Sequence, residues 1–202
     1  MSSQPGTAKR VQVQEAVLAA TEELLAAGSS FQDLKIERIA TAAGISRTAF
    51  YFYFKDKREL LMRLAADVTG ELYGQADAWF AGTDGGPEDQ VSDALTAIAK
   101  LYFEHGPLLR AIVEVSTYDE ELAVYWRGLL QRFADATSSR IEAEQAAGRA
   151  PDMAAAPTAF ALVWMTERTF YQQLVQGAPV DRDELVAALN GIWARAVYGT
   201  ST

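Results

Sequence analysis

The chain has 202 residues, half of them hydrophobic, and carries 18 Lys and Arg against 27 Asp and Glu for a formal net charge of −9. That length and apolar fraction exclude a disordered chain, and the absence of cysteine excludes a disulfide framework and thiolate metal sites. With no secretory leader and no long uninterrupted apolar run, a cytoplasmic protein without a membrane partner is expected. Residues 1–8 are small and polar and read as a disordered start, after which Lys9 and Arg10 offer a short basic arm. A first helix is predicted over 10–27, where Val13, Ala16, Val17, Ala20 and Leu24 share one side and Gly28 follows. Further helices are predicted over 36–43, 47–53, 57–80, 88–104, 108–116, 120–147, 155–176 and 183–197. The breaker at 83–87, the Gly106-Pro107 pair and Gly148 with Pro151 separate several of them. No strand pattern and no internal repeat stand out, so the fold class is all-α.

The stretch from Ile36 to Lys57, IERIATAAGISRTAFYFYFKDK, carries the most information. Ile36, Ile39, Ala40 and Ala43 recur at helical spacing, Gly44 supplies a positive φ to end that helix, and Ser46 is placed to cap the next. Two short helices around a glycine turn make a helix-turn-helix, whose second helix enters the DNA major groove. One helix cannot bury the five consecutive aromatics 50–54 on one face. Phe50 and Phe54 are therefore expected in the core, and Tyr51, Phe52 and Tyr53 on the contact side. Charge agrees with this division: residues 1–60 carry eight basic and seven acidic side chains, and the remainder ten against twenty. Attraction to phosphate is confined to the N-terminal part, and the acidic body repels DNA.

AAGISRTAFYFYFKDKREL resembles the signature of the TetR family of transcriptional repressors, over roughly the first quarter of the chain. YWRGLLQRFADATSSRIEAEQAAGRAP and WMTERTF are similar to the branch containing the repressor of the ethionamide-activating monooxygenase. The resemblance implies a three-helix DNA-binding domain over 1–56 and a helical ligand-binding and dimerisation domain over 57–202. It also implies roles that side-chain chemistry supports. Arg47 and Thr48 lie where side chains reach base edges, arginine suiting guanine and a threonine methyl the thymine methyl. Ala49 permits close approach, and Tyr51 and Tyr53 offer hydroxyls to phosphate. Phe52, where the family often has a polar residue, is left with apolar contact. Lys57, at the start of a helix, can meet phosphate through its charge and backbone amides. Ser46 caps the recognition helix beside the DNA. Lys35 replaces the usual Ser or Thr cap, so either Asp33 substitutes, or the helix end is poorly capped and Lys35 meets phosphate instead.

In the body, Trp126, Leu130, Phe133 and Thr137 form one stripe at spacings of four, three and four. The helix over 155–176 is apolar almost all round, with Val163 and Trp164 among its large side chains. These residues, together with Tyr102, Phe103, Thr166 and Trp193, have the composition of a pocket for a small apolar effector. The branch resemblance implies a tunnel between the helices over 57–80, 88–104, 120–147 and 155–176. Val163 and Thr166 stand where that repressor presents amides, so a less polar wall is implied here. It further implies a homodimer paired through the eighth and ninth predicted helices, 155–176 and 183–197, on a palindromic operator of double-stranded DNA. Glu167 and Arg168 are expected to form an ion pair. The single histidine, His105, is expected to cap a helix end or meet solvent. No metal site, cofactor or catalytic constellation is indicated. The alternatives left open are a ligand-sequestering helical protein without specific DNA binding and a small helical enzyme.

Overall fold

The computed structural model describes residues 5–82, 86–177 and 180–199, and every regular element among them is a helix. The helices are α1 (Pro5–Ala26), α2 (Ile36–Ala42), α3 (Arg47–Phe50), α4 (Lys57–Gly74), α5 (Asp77–Ala81), α6 (Pro87–Glu104), α7 (Gly106–Ser116), α8 (Glu120–Ala146), α9 (Ala155–Gln176) and α10 (Arg182–Tyr198). None is long and apolar enough to cross a membrane. Of the predicted breaker at 83–87, residues 83–85 lie outside the described residues, as do residues 1–4 of the expected tail. Helix α1 already begins at Pro5.

Two compact units emerge, Met1–Asp67 with Pro107–Leu122 and Val68–Gly106 with Ala123–Thr202. The division therefore runs through α4 rather than before it, unlike the 1–56 and 57–202 boundaries expected from sequence. Helix α7, whose Leu108, Leu109, Ile112 and Val115 are buried, groups with the first unit from Pro107 onward. In that unit α1 packs on α2 and α2 on α3, around Val17, Leu25, Phe31, Leu34, Ile39, Phe50, Phe54 and Leu61. The turn between α2 and α3 closes as the sequence requires. Gly44 sits at φ +70°, its N–H donates to the Thr41 carbonyl at 3.1 Å, and Ile45 N–H reaches back to Ala40 at 2.9 Å. That pair of bonds satisfies carbonyls which the helix end would otherwise leave open.

In the second unit α10 packs on α6, α5 lies against α6, and α9 meets both α6 and α10. The predicted helix over 57–80 is broken: α4 ends at Gly74, Ala76 N–H tightens onto Tyr73 O at 3.1 Å, and α5 starts at Asp77. Glycine weakens the helix there. The turn places Trp79 in the core, where its indole N–H donates to the Tyr198 hydroxyl at 2.8 Å. A fully buried carboxylate, Glu144, is bracketed by Arg140 and by Arg149 Nε at 2.6 Å, so both its oxygens are satisfied.

Gly44→Ala should destabilise the chain by about 1–2 kcal/mol, the cost of a Cβ in the left-handed region. Urea unfolding of the two proteins measures it; equal midpoints and slopes would show that the turn relaxes freely.

Candidate functional site

The first unit presents one candidate face. Ser46 caps α3 as expected, its hydroxyl accepting the Ala49 N–H at 3.1 Å. The helix is shorter than the predicted 47–53: past Phe50 the chain tightens into turns, with Phe52 N–H on Ala49 O and Tyr53 N–H on Phe50 O. Burial of two rings drives this. Phe50 and Phe54 are both in the core with centroids 5.4 Å apart, which turns the residues between them outward. Tyr51 is 47 % exposed and Phe52 73 %, and with Arg47 and Thr48 they line a shallow surface groove. Ala49 and Tyr53 are half-buried. A phenylalanine this exposed is unfavourable in water and fits a surface that becomes covered.

Arg47 is not free on that face. Its guanidinium pairs with Glu37 of α2 at 2.7 Å, and Tyr51, followed by Glu37, favours its charged form. Lys35 stands at the start of α2 with no side-chain cap, and Asp33 does not substitute. Asp33 instead takes a hydrogen bond from Ser30 Oγ at 2.9 Å. Lys35 itself is exposed.

Lys57 departs from expectation. Its Nζ donates to the carbonyls of Phe31, Gln32 and Leu34 at 2.6, 2.9 and 3.1 Å and lies 4.9 Å from the Phe31 ring centre. All three ammonium protons are committed to the loop between α1 and α2, leaving none for phosphate. Partial burial pulls its pKa down, and Asp33 opposes that shift. The side chain is a clamp on the loop that leads into the recognition motif. Next to it, Arg58 reaches Glu121 at 2.8 Å, and Asp119 of the same corner caps α8 through Leu122 N–H.

The second unit holds a cavity of about 70 Å³. Of the residues expected to wall it, Tyr102, Trp126, Leu130, Phe133, Val163, Thr166 and Trp193 do so. Three do not. Thr137 is fully buried in the core away from the wall. Phe103 packs edge-on to Phe170 beneath the Arg182 guanidinium. Trp164 turns the other way and lies beside Phe160 on α9. Leu72, Trp79, Phe80, Leu95 and Ile98 supply wall that was not expected from sequence. The run Val91, Leu95, Ile98 and Tyr102, at spacings of four, three and four on α6, was the available signal. Thr166 is already engaged, accepting the Trp193 indole N–H at 2.9 Å.

Glu167 also lines the cavity, with a side chain only 4 % exposed and neither oxygen hydrogen-bonded. The expected ion pair is loose: Arg168 Nε stands 3.8 Å from Oε2, and the guanidinium lies 5.0 Å from the Tyr171 ring centre. Burial raises the Glu167 pKa; the Arg168 charge and then the Trp126 indole N–H, directed at the carboxyl but too loosely placed for a hydrogen bond of normal geometry, partly counter it. The Tyr102 hydroxyl is likewise buried and unpartnered, and burial together with the Glu167 charge raises its pKa. His105 ends α6 as its C-cap through backbone bonds, and among the described residues no cluster of His, Cys, Asp or Glu is placed to hold a metal ion.

Two outcomes follow from this geometry. Lys57→Met keeps the stem and removes the three donors, so it should cost about 1–3 kcal/mol for carbonyls left unpaired; an unchanged urea midpoint would rule out the clamp. For Glu167, the unfolded chain releases its proton near the ordinary value of 4.5 while the folded protein still holds it. Stability is therefore lost as pH rises through the folded-state pKa. Glu167→Gln should flatten that fall, seen by comparing unfolding free energies of the two proteins from about pH 4 to about pH 8.

Comparison with known proteins accounts for both halves. The profile for bacterial regulatory proteins of the TetR family matches residues 17–64, and that for the C-terminal domain of the transcriptional regulator EthR matches 91–199. The HTH-type transcriptional regulator EthR of Mycolicibacterium smegmatis is 34 % identical over 195 residues, covering 92 % of this chain and 87 % of that protein. EthR of Mycobacterium tuberculosis is 31 % identical over 193 residues with the same coverage. Among solved structures, NalD, the secondary repressor of the MexAB-OprM multidrug efflux pump in Pseudomonas aeruginosa, superposes with a TM-score of 0.72 at 22 % identity, covering 94 % of this chain and 98 % of its own. The regulator PfmR of Thermus thermophilus does so with 0.72 at 16 %, covering 92 % and 99 %. These two likenesses concern the fold, whereas the sequence matches carry the assignment: the chain belongs to the TetR family of helix-turn-helix transcriptional regulators, a family of DNA-binding proteins rather than enzymes, and within it to the EthR-like branch.

Proposed function

We propose that the chain is a dimeric repressor that leaves a palindromic operator when a small apolar molecule occupies the cavity of the second unit. The observation that carries the DNA half is the exposed set Arg47, Thr48, Tyr51 and Phe52 on a helix anchored from behind by Phe50 and Phe54. Arg47 reads a base edge once Glu37 releases it, Thr48 and Phe52 supply apolar contact, and Tyr51 and Tyr53 donate to phosphate. Lys35 adds charge at the edge of the face. Lys57 contributes by holding the loop.

The effector half rests on the apolar cavity. At about 70 Å³ it is far below the roughly 300 Å³ of an ordinary ligand site. A ligand must therefore enlarge it by moving wall side chains, among them Leu72 of α4 and Phe133 of α8. Helix α4 begins at Lys57 and carries the recognition unit's clamp, so a ligand-induced shift of α4 re-aims the recognition helices. The ligand acts only as far as it favours the shifted conformation. Dimerisation through α9 and α10 is supported by the exposed Phe160, its neighbour Trp164 and Ile192. A cytoplasmic location suits such a regulator.

The test is selection of genomic fragments by the purified protein near physiological salt, with Tyr51→Ala as control. One inverted-repeat sequence recovered by the wild type alone is expected. Fluorescence anisotropy on that sequence should then show Tyr51→Phe losing roughly tenfold in affinity, about 1.4 kcal/mol for one phosphate hydrogen bond. Folded, ligand-free dimer that enriches nothing would favour the sequestering protein instead.

A further inference from the structure

Two buried carboxylates among the described residues of the second unit differ in kind. Glu144 is held by two guanidinium groups, whereas Glu167 has no hydrogen bond to either oxygen. An enclosed carboxyl with unused acceptors is costly unless something donates to it. Arg168 does not, standing 3.8 Å away with half its side chain in solvent, and the Trp126 indole N–H, the one donor that favours the charged carboxyl, falls short of a hydrogen bond of normal geometry. Glu167 is the sole charged residue among the described residues that line the cavity, and Tyr102, whose hydroxyl is likewise buried and unpartnered, lines it too. Thr166, the remaining wall residue with a hydroxyl, is engaged with Trp193.

We propose that Glu167 is the polar anchor of the effector site, and that the effector is an apolar molecule bearing a basic amine. This rests on the reading of the cavity as the effector site. A carboxylate in an apolar cavity is best completed by a charge-assisted N–H donor. Two ammonium protons can address the two oxygens of Glu167, and the apolar body packs on Trp126, Leu130 and Phe133 of the wall. The neutral Tyr102 hydroxyl can accept a further N–H. Among the described residues no Lys, Arg or His lines the cavity to receive an anionic head group, so a fatty acid of the same body would set its charge against Glu167 in a poorly solvated space.

Three probes with one body and different heads decide this: 4-phenylbutylamine, 4-phenylbutanol and 4-phenylbutanoic acid. They are titrated against the full-length protein near neutral pH and followed by tryptophan fluorescence, since Trp79, Trp126 and Trp193 line the cavity. The amine should bind at least about tenfold tighter than the acid, with the alcohol between them. In Glu167→Gln the spread should collapse to within about threefold. Amine and acid of equal affinity on the wild type would overturn the amine class while leaving the effector site standing. A preference that survives in Glu167→Gln would overturn the role of Glu167. Failure of all three probes to bind would remove the cavity as an effector site, and this inference with it. Glu167→Leu provides a second check: if the carboxyl serves ligand rather than fold, the variant is at least as thermostable as wild type and loses the amine preference, whereas a clear drop in Tm would mark the carboxyl as structural. The wild-type series decides the class even if a variant does not fold.

Discussion

Burial of Phe50 and Phe54 governs the whole recognition face. The two rings sit in the core of the first unit 5.4 Å apart, and the backbone between them tightens from α-helical to shorter turns to bring both inside. Tyr51 and Phe52 are then carried outward as a geometric consequence. Gly44 and Ser46 define where α3 begins, and Lys57 fixes the loop behind it. A surface that must present Phe52 to water in the free protein is stable because the cost of one exposed ring is small beside the burial of its two neighbours.

Charge on this face is managed internally. Glu37 neutralises Arg47, and Lys57 is absorbed by carbonyls, so neither cation stands unengaged in the protein alone. On the proposed reading, binding DNA exchanges the Glu37 pair for contact with the duplex. Such an exchange lowers gross affinity but favours sites where the guanidinium finds a better partner than the carboxylate.

The second unit solves a different problem. Trp79, Trp193, Phe80, Phe133 and Tyr73 meet edge-on or tilted, with centroids about 5–6 Å apart. Rings in such arrangements fill space without a close-packed centre, and a small apolar cavity remains. Glu144 and Glu167 show how local sequence sets the fate of a buried carboxylate. Arg140 lies one helical turn before Glu144 and Arg149 just beyond the helix end, so both reach it. Arg168 follows Glu167 directly, points elsewhere on the helix, and cannot.

The all-α class, the glycine turn, the Ser46 cap, the core role of Phe50 and Phe54 and the exposure of Tyr51 and Phe52 were legible from the sequence, because each follows from spacing within one or two helical turns. Seven wall residues of the cavity were legible as well, since apolar stripes on single helices reveal which faces turn inward. The sequence could not reveal that Lys57 gives its protons to carbonyls 23 to 26 residues earlier, that α7 groups with the first unit, or that the chain turns at Gly74 to bury Trp79. Those are decided by packing between segments far apart in the chain. The same holds for Thr137, Phe103 and Trp164, whose apolar or amphipathic character suits a cavity wall, a solid core or an outer face equally. Periodicity determines which side of a helix is buried; only the tertiary structure decides what it is buried against.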